Sequence, residues 1–354
     1  MKLSPTLSGL VTDILQLSQV KEDERVALVT TTAYDAEILD AYLTAIENTG
    51  AEALRLVLPR RVDDAGRLSQ PLSNYAADML KAADMVLRPV TRPDSPTPDI
   101  FMYDEIFREI LFTGTRWLDV VINEEAMRRL FPDQALIERT MAGVEMMERA
   151  EQVRVTSAAG TDLTVSKKGR KAHKQTGIVD EPGMWDNFGF GLVACAPLED
   201  SAEGVLVLDS GDSAGQVAFG DRHRINPEPI TLTFREGKIV DVTGGHTALM
   251  LGRWLEQFAG DGGHRIAHIG WGTHDRAIWQ GGSRFSHADW ESFLGCIMIH
   301  FGVNIFDTPC RFSGLGGATY PPDVHWGGSL LNCDLYLDDE LIVKEGQIIH
   351  PDCK

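Results

Sequence analysis

Three of the chain's ten histidines fall within one short stretch, HRIAHIGWGTHDR (264–276), interrupted by Gly-Trp-Gly. Imidazoles at this density suit a metal centre, proton transfer or buried hydrogen bonding, and residue type alone leaves all three open. The pattern predicts a strand over 265–271. His264 and His268 then share a face but stand about 13 Å apart at about 3.3 Å per residue, too far for one ion. On a helix the same spacing would work as it does in H-E-x-x-H, but Gly270 and Gly272 argue against a helix. His268 therefore needs partners from elsewhere, and His274, beyond the Gly-Trp-Gly bend, could approach the same pocket. A second cluster lies in PPDVHWGGSLLNCDLYLDDE (321–340). Asp323 and His325 are two residues apart, so on an extended segment they share a face with about 6.6 Å of backbone between them and can converge on one metal. His268, His325 and a carboxylate such as Asp323 make up the 2-His-1-carboxylate set of non-haem Fe(II) enzymes, which leaves positions open for substrate and O₂. The plain alternative is that each histidine is a hydrogen-bonded core or surface residue.

The elements that would carry these residues divide the chain in two. The first third alternates strands and helices: VALVT (26–30), a helix over 33–48 closed by Gly50, ALRLVL (53–58), a helix over 74–83, DMVLRPV (84–90), a helix over 103–112 and WLDVVI (117–122). Such alternation implies an α/β lobe with a parallel, doubly wound sheet. TTTAYDAE follows the first strand in place of G-x-G-x-x-G, so a dinucleotide or P-loop site has no support. A helical connection over 132–152 leads into an α+β lobe with mainly antiparallel strands, giving expected domains at 1–135 and 150–354. Its strands are predicted at 153–156, 162–165 and 204–208, as a 231–234 and 238–242 pair turning at Glu236-Gly237, and at 334–337, 341–343 and 347–349.

Composition narrows the function classes. A formal net charge of −19 repels phosphate backbones and disfavours nucleic acid as a partner, so a small-molecule substrate is expected instead. No apolar run reaches the roughly 18 residues of a membrane span, and Asp13 interrupts the apolar N-terminal helix, so neither membrane insertion nor export is expected. The five cysteines are odd in number and form no C-x-x-C pair, which fits a reducing, cytoplasmic location.

Several stretches resemble the 2,5-dihydroxypyridine dioxygenase family, ring-opening enzymes that share a fold with aminopeptidase T-like metallopeptidases. They are FTGTRWLDVV (112–121), VDEPGMWDN (179–187), EDSAEGVLVLDSGD (199–212), AHIGWGTHDRAIW (267–279) and LNCDLYLDD (331–339), spread in order over most of the chain. The resemblance implies that His268 and His325 are the two iron-binding histidines and that Glu181 is an acid near the substrate. The family writes its second motif as His-x-Asp, where the Asp is a ligand; here the residues are His325-Trp326-Gly327, so Asp323 is the expected replacement, with Glu181 and His274 as further candidates. Tyr103 and Asn187 stand where the family tends to place histidines facing the substrate, and a neutral amide cannot act as general base near pH 7.

The implied activity is Fe(II)-dependent oxygenative cleavage of a small hydroxylated N-heteroaromatic ring, in a homo-oligomer. Two alternatives stay open: a metallohydrolase using Zn²⁺ or Mn²⁺ with Glu181 as base, and a metal-free small-molecule binding protein. Smaller signals have plainer readings. KKGRKAHK (167–174) reads as a solvated basic loop, His246 as a cap or core residue, and Tyr320 and Trp326 as packing rather than pocket walls.

Overall fold

A computed structural model describes residues 3–31, 36–58, 72–90, 105–121, 124–214, 224–279, 287–302 and 325–353. The first lobe contains α1 (Leu7–Leu17), β1 (Arg25–Thr31), α2 (Ala36–Asn48), β2 (Glu52–Leu58), α3 (Asn74–Lys81), β3 (Met85–Val90), α4 (Glu105–Phe112) and β4 (Arg116–Val121). Thr6 and Ser73 cap α1 and α3, each side-chain oxygen accepting from a first-turn backbone N–H. Alternation along β1 builds two cores. Val26 and Leu28 pack with Leu10, Ile14, Tyr42 and Ile46 of α1 and α2, while Ala27 and Val29 pack with Leu80 of α3 and Phe107 of α4. A sheet covered on both faces in this way is the expected doubly wound arrangement, and its pairings are parallel.

Two helices, α5 (Glu124–Arg129) and α6 (Gln134–Arg149), lead to the second lobe. Its strands begin with β5 (Gln152–Ser157), β6 (Asp162–Ser166), β7 (Ala172–Gln175), β8 (Trp185–Asn187), β9 (Leu192–Cys195) and β10 (Glu203–Leu208). Next come β11 (Ser213–Ala214), β12 (Arg224–Ile225), β13 (Ile230–Arg235), β14 (Lys238–Gly244) and α7 (His246–Trp254). The chain ends with β15 (Ile266–Gly272), α8 (His287–Ser292), β16 (Ile297–Gly302), β17 (His325–Leu330), β18 (Cys333–Leu337), β19 (Glu340–Lys344) and β20 (Gln347–Ile348).

Among the described residues the strands form three sheets, ordered β2-β1-β3-β4-β8, β14-β13-β10-β6-β5-β18-β19-β20 and β12-β11-β17-β16-β15-β9-β7. The second and third sheets are antiparallel throughout. The strand β8 is the exception to the two-part reading: it lies within the second half of the sequence yet extends the parallel sheet of the first, beside β4.

Between the two antiparallel sheets lies the largest apolar core, with Val153, Val155, Leu163 and Leu206 on one side and Val193, Ile269, Trp271, Ile299, Phe301 and Trp326 on the other. Helix α6 packs into it through Gly143, where an added Cβ would come within 2.8 Å of both Trp271 and Val193. Trp326 is therefore core: its ring stacks on Phe301 at 4.2 Å between centroids and its Nε1 donates to the Gly263 carbonyl. Likewise the basic run 167–174 is only partly solvated. Lys167 is 1% exposed and its Nζ donates to the carbonyls of Met147 and Ala150 at the end of α6, while residues 172–174 form most of β7 and are buried.

Gly143→Ala should lower the urea midpoint despite a helix-propensity gain of about 1 kcal/mol, because overpacking a filled interface costs about 1–3 kcal/mol. An unchanged or raised midpoint would show that α6 can move off the sheet without penalty.

Candidate functional site

The third sheet has two chemically different faces. Ile269 and Trp271 of β15, Ile297, Ile299 and Phe301 of β16, and Trp326 and Leu330 of β17 enter the large core. Strand alternation sends the intervening residues to the other side. The register pairs His268 with His300 and His300 with Gly327, so positions 268, 300 and 327 form one cross-strand row on that second face. Position 325 lies two residues along β17 in the same alternation, opposite Gly302. The next row on the same face runs from Met298 through Gly270 and Ala194 to His173. Part of this face is closed by Ala126, Leu130 and Ala288 packing on Leu192, Ala194 and Met298.

His268 and His300 are 6% and 3% exposed, with ring centroids 4.7 Å apart and planes tilted by 35°. Among the described residues no set of three or more His, Cys, Asp and Glu converges on an ion. The pair is nevertheless what a metal with a preference for imidazole takes, a group that includes iron and zinc, and the donor set fits in chemistry and spacing. His300 was not foreseen from the sequence. Its signal is a single polar residue in the apolar run IMIHFG, on the parity opposite to Ile297, Ile299 and Phe301.

The other expected site residues are placed as follows. His325 opens β17; its side chain, like Asp323 and Tyr103, lies outside the described residues. Glu181, partly buried, sits in the turn before β8, where its carbonyl accepts from Met184 N–H and Gly183 N–H donates to the Gly114 carbonyl. Asn187 ends β8 beside Asp119 of β4, at the carboxyl edge of the parallel sheet, where open α/β sheets bind ligands. Asp119 is held there by Arg88, through contacts of 2.6 and 2.5 Å, and by the indole N–H groups of Trp117 at 2.8 Å and Trp185 at 3.3 Å. Trp185 in turn stacks on His173 with planes 19° apart. The β8 end of the parallel sheet thus leans on the outer strand of the histidine face. A buried Arg-Asp pair was also missed in the sequence, although Arg88 inside the apolar strand MVLRPV was the visible sign.

Asp186 anchors the same joint. Its Oδ2 accepts from the backbone N–H groups of Thr176, Gly177 and Ile178, and Oδ1 accepts from Asn187 N–H. Burial pushes its carboxyl up to about 7 against those hydrogen bonds.

His274 and His264 belong to the scaffold. The His274 ring is fully buried; Nδ1 accepts from Arg276 N–H at 3.2 Å, which leaves Nε2 to donate to the Leu130 carbonyl at 3.2 Å. Both nitrogens are thus engaged by backbone groups. His264 Nδ1 contacts the Gly260 carbonyl at 2.8 Å. Of the three clustered histidines, His268 alone stands in the row that faces His300.

The fold and site define an enzyme of two lobes, a doubly wound parallel sheet set against paired antiparallel sheets that carry a buried histidine pair. The chain belongs to the 2,5-dihydroxypyridine 5,6-dioxygenase family, whose sequence profile matches residues 6–350. It is 29% identical to the 2,5-dihydroxypyridine 5,6-dioxygenase of Pseudomonas putida KT2440, covering 98% of this chain and 97% of that protein. A solved structure of the 2,5-dihydroxypyridine dioxygenase from that organism superposes with a TM-score of 0.83 at 28% identity, over 98% of both chains. AmpT from Thermus thermophilus shares the fold, with a TM-score of 0.65 at 16% identity, covering 97% of this chain and 99% of its own. No helix among the described residues is long and apolar enough to cross a membrane.

Burial pushes the His274 pKa down from 6.5 to about 4. Between those values the unfolded chain binds a proton that the folded chain refuses, so this residue's contribution to stability is complete above pH 6.5 and is lost on acidification towards pH 4. The loss amounts to about 3 kcal/mol at most. His274→Gln should flatten the fall in denaturation midpoint over that range relative to the parent chain; parallel curves would show that His274 does not carry it.

Proposed function

We propose that this chain is a metal-dependent dioxygenase that opens a small hydroxylated N-heteroaromatic ring of the 2,5-dihydroxypyridine kind, with Fe(II) as its metal. The observation that carries this reading is the buried His268–His300 pair on one face of the third sheet, in a chain that matches the 2,5-dihydroxypyridine 5,6-dioxygenase profile over residues 6–350.

An Fe(II) ion held by imidazoles supplies open positions for ring oxygen donors and O₂, together with the electrons that oxygen activation needs. The protein's own contribution is position and exclusion of water. Opposed strands fix His268 and His300, and their burial keeps bulk water from competing for the open positions. His325 is the further ligand that the family resemblance suggests, and Asp323, two residues before it, is the carboxylate candidate that its spacing offers. Glu181 is assigned to proton handling at the substrate. Asn187 and Tyr103 are assigned to orienting the ring through hydrogen bonds; the Asn187 amide donates and accepts without titrating.

In an oxygen electrode, the Fe(II)-loaded protein should consume O₂ in step with loss of 2,5-dihydroxypyridine absorbance, and neither change should occur anaerobically. Glu181→Gln should lower turnover while leaving bound iron near the parent level. Full turnover of a substrate without oxygen would instead identify a hydrolase, in which the metal acts by activating water.

A further inference from the structure

We propose that His300 is itself a metal ligand, occupying the place of the carboxylate that position 327 does not supply, so that the centre is built from imidazoles. The proposal rests on the reading of this face as the metal centre and concerns which residues make it.

Three observations carry it. First, His268 and His300 are direct cross-strand partners, and opposed residues of an antiparallel pair have their Cβ atoms only about 4.5–5.5 Å apart on one face. Their side chains have no choice but to meet. Second, the spacing of the rings suits a shared ion. With a metal–nitrogen bond of about 2.0–2.1 Å, each ring centre lies about 3.2 Å from the ion, so two imidazoles at angles of about 90–110° have centroids about 4.5–5.2 Å apart. The observed separation is 4.7 Å.

Third, position 327 has no room for a ligand side chain, and the His300 ring stands beside it. A Cβ there would lie 2.4 Å from His300 Cδ2, 2.5 Å from the Ile299 carbonyl oxygen and 2.7 Å from His300 Cα. The His300 ring takes up the ground that a side chain at 327 would need, in the row that already holds His268. Two of those three atoms are backbone, so the close approach of β16 to β17, with the ring at 300 adding to it, accommodates glycine at 327 and no ligand side chain. Catalytic centres with open positions take three protein ligands, and His300 supplies the one that this row would otherwise lack.

The test is Co(II) titration of the metal-free full-length protein, read by visible absorption and checked by elemental analysis, on the parent chain and on His268→Ala, His300→Ala, His300→Gln and Asp323→Ala. His300→Ala and His268→Ala should each bind Co(II) at least about a hundredfold more weakly, beyond the 10–100-fold typical of losing a residue that only supports a ligand. Added imidazole should restore the absorption bands of His300→Ala by filling the vacated place. His300→Gln keeps most of the side-chain volume, so if the alanine variant fails to fold, a folded glutamine variant that has lost Co(II) carries the same conclusion. Parent-like Co(II) affinity in a folded His300 variant, with the loss appearing in Asp323→Ala instead, overturns the proposal, as does a parent chain that binds no metal. The readout is independent of oxygen chemistry. A protein that needs His300 for Co(II) yet consumes no O₂ sinks the dioxygenase reading alone, and one that consumes O₂ with parent-like Co(II) affinity in His300→Ala sinks the ligand assignment alone.

Discussion

Everything in the second lobe depends on the register of three adjacent strands. With β15, β16 and β17 aligned so that 268, 300 and 327 stand in one row, alternation delivers Ile269, Trp271, Ile299, Phe301 and Trp326 to the core and the histidines to the opposite face. A slip of one residue in any of these strands would exchange the two sets, burying imidazoles among aromatics and turning tryptophan and phenylalanine outward. The apolar burial that stabilises the lobe therefore also fixes the geometry of the site. The pairing is irregular only between Ile266 and His268, immediately before the first of the two histidines, a placement typical of bulges that re-aim a side chain at functional sites.

The first lobe matters to the site through β8. That short strand belongs by sequence to the second half of the chain and by hydrogen bonding to the parallel sheet, so the lobes cannot separate without breaking strand pairing. Its Trp185 bridges the two systems, donating to Asp119 on one side and stacking on His173 on the other. Asp119 and Arg88 are both buried, and an ion pair in that setting gives little net stability because both charges are desolvated. Removing one partner would be costly, however, since it strands the other. The pair is best understood as fixing the carboxyl edge of the sheet, where β8 ends at Asn187, rather than as a source of folding energy.

Much of this was legible in the sequence, and the exceptions share a cause. The β-α-β rhythm of the first lobe, the Glu236-Gly237 hairpin and the strand around HIGWG follow from local periodicity and turn chemistry, and each is present. His268 stood out because it lies in a cluster of three histidines and in the HIGWG segment that carries the family resemblance. His300 did not, because IMIHFG is mostly apolar and the meaning of its histidine appears only when β16 is laid against β15, a pairing between residues far apart in the chain. The membership of β8 in the parallel sheet was hidden for the same reason. Lys167 misled in the opposite direction: residue type suggested solvent, but carbonyl groups at the end of α6 claim its side chain.

The most direct measurement is an anomalous difference map at the iron edge from crystals grown with Fe(II) under anaerobic conditions. A single peak bridging the His268 and His300 rings, about 2.0–2.2 Å from one nitrogen of each, is the predicted result. A peak elsewhere, or one coordinated by His268 while His300 remains turned away from it, would contradict the assignment of the metal to the histidine row.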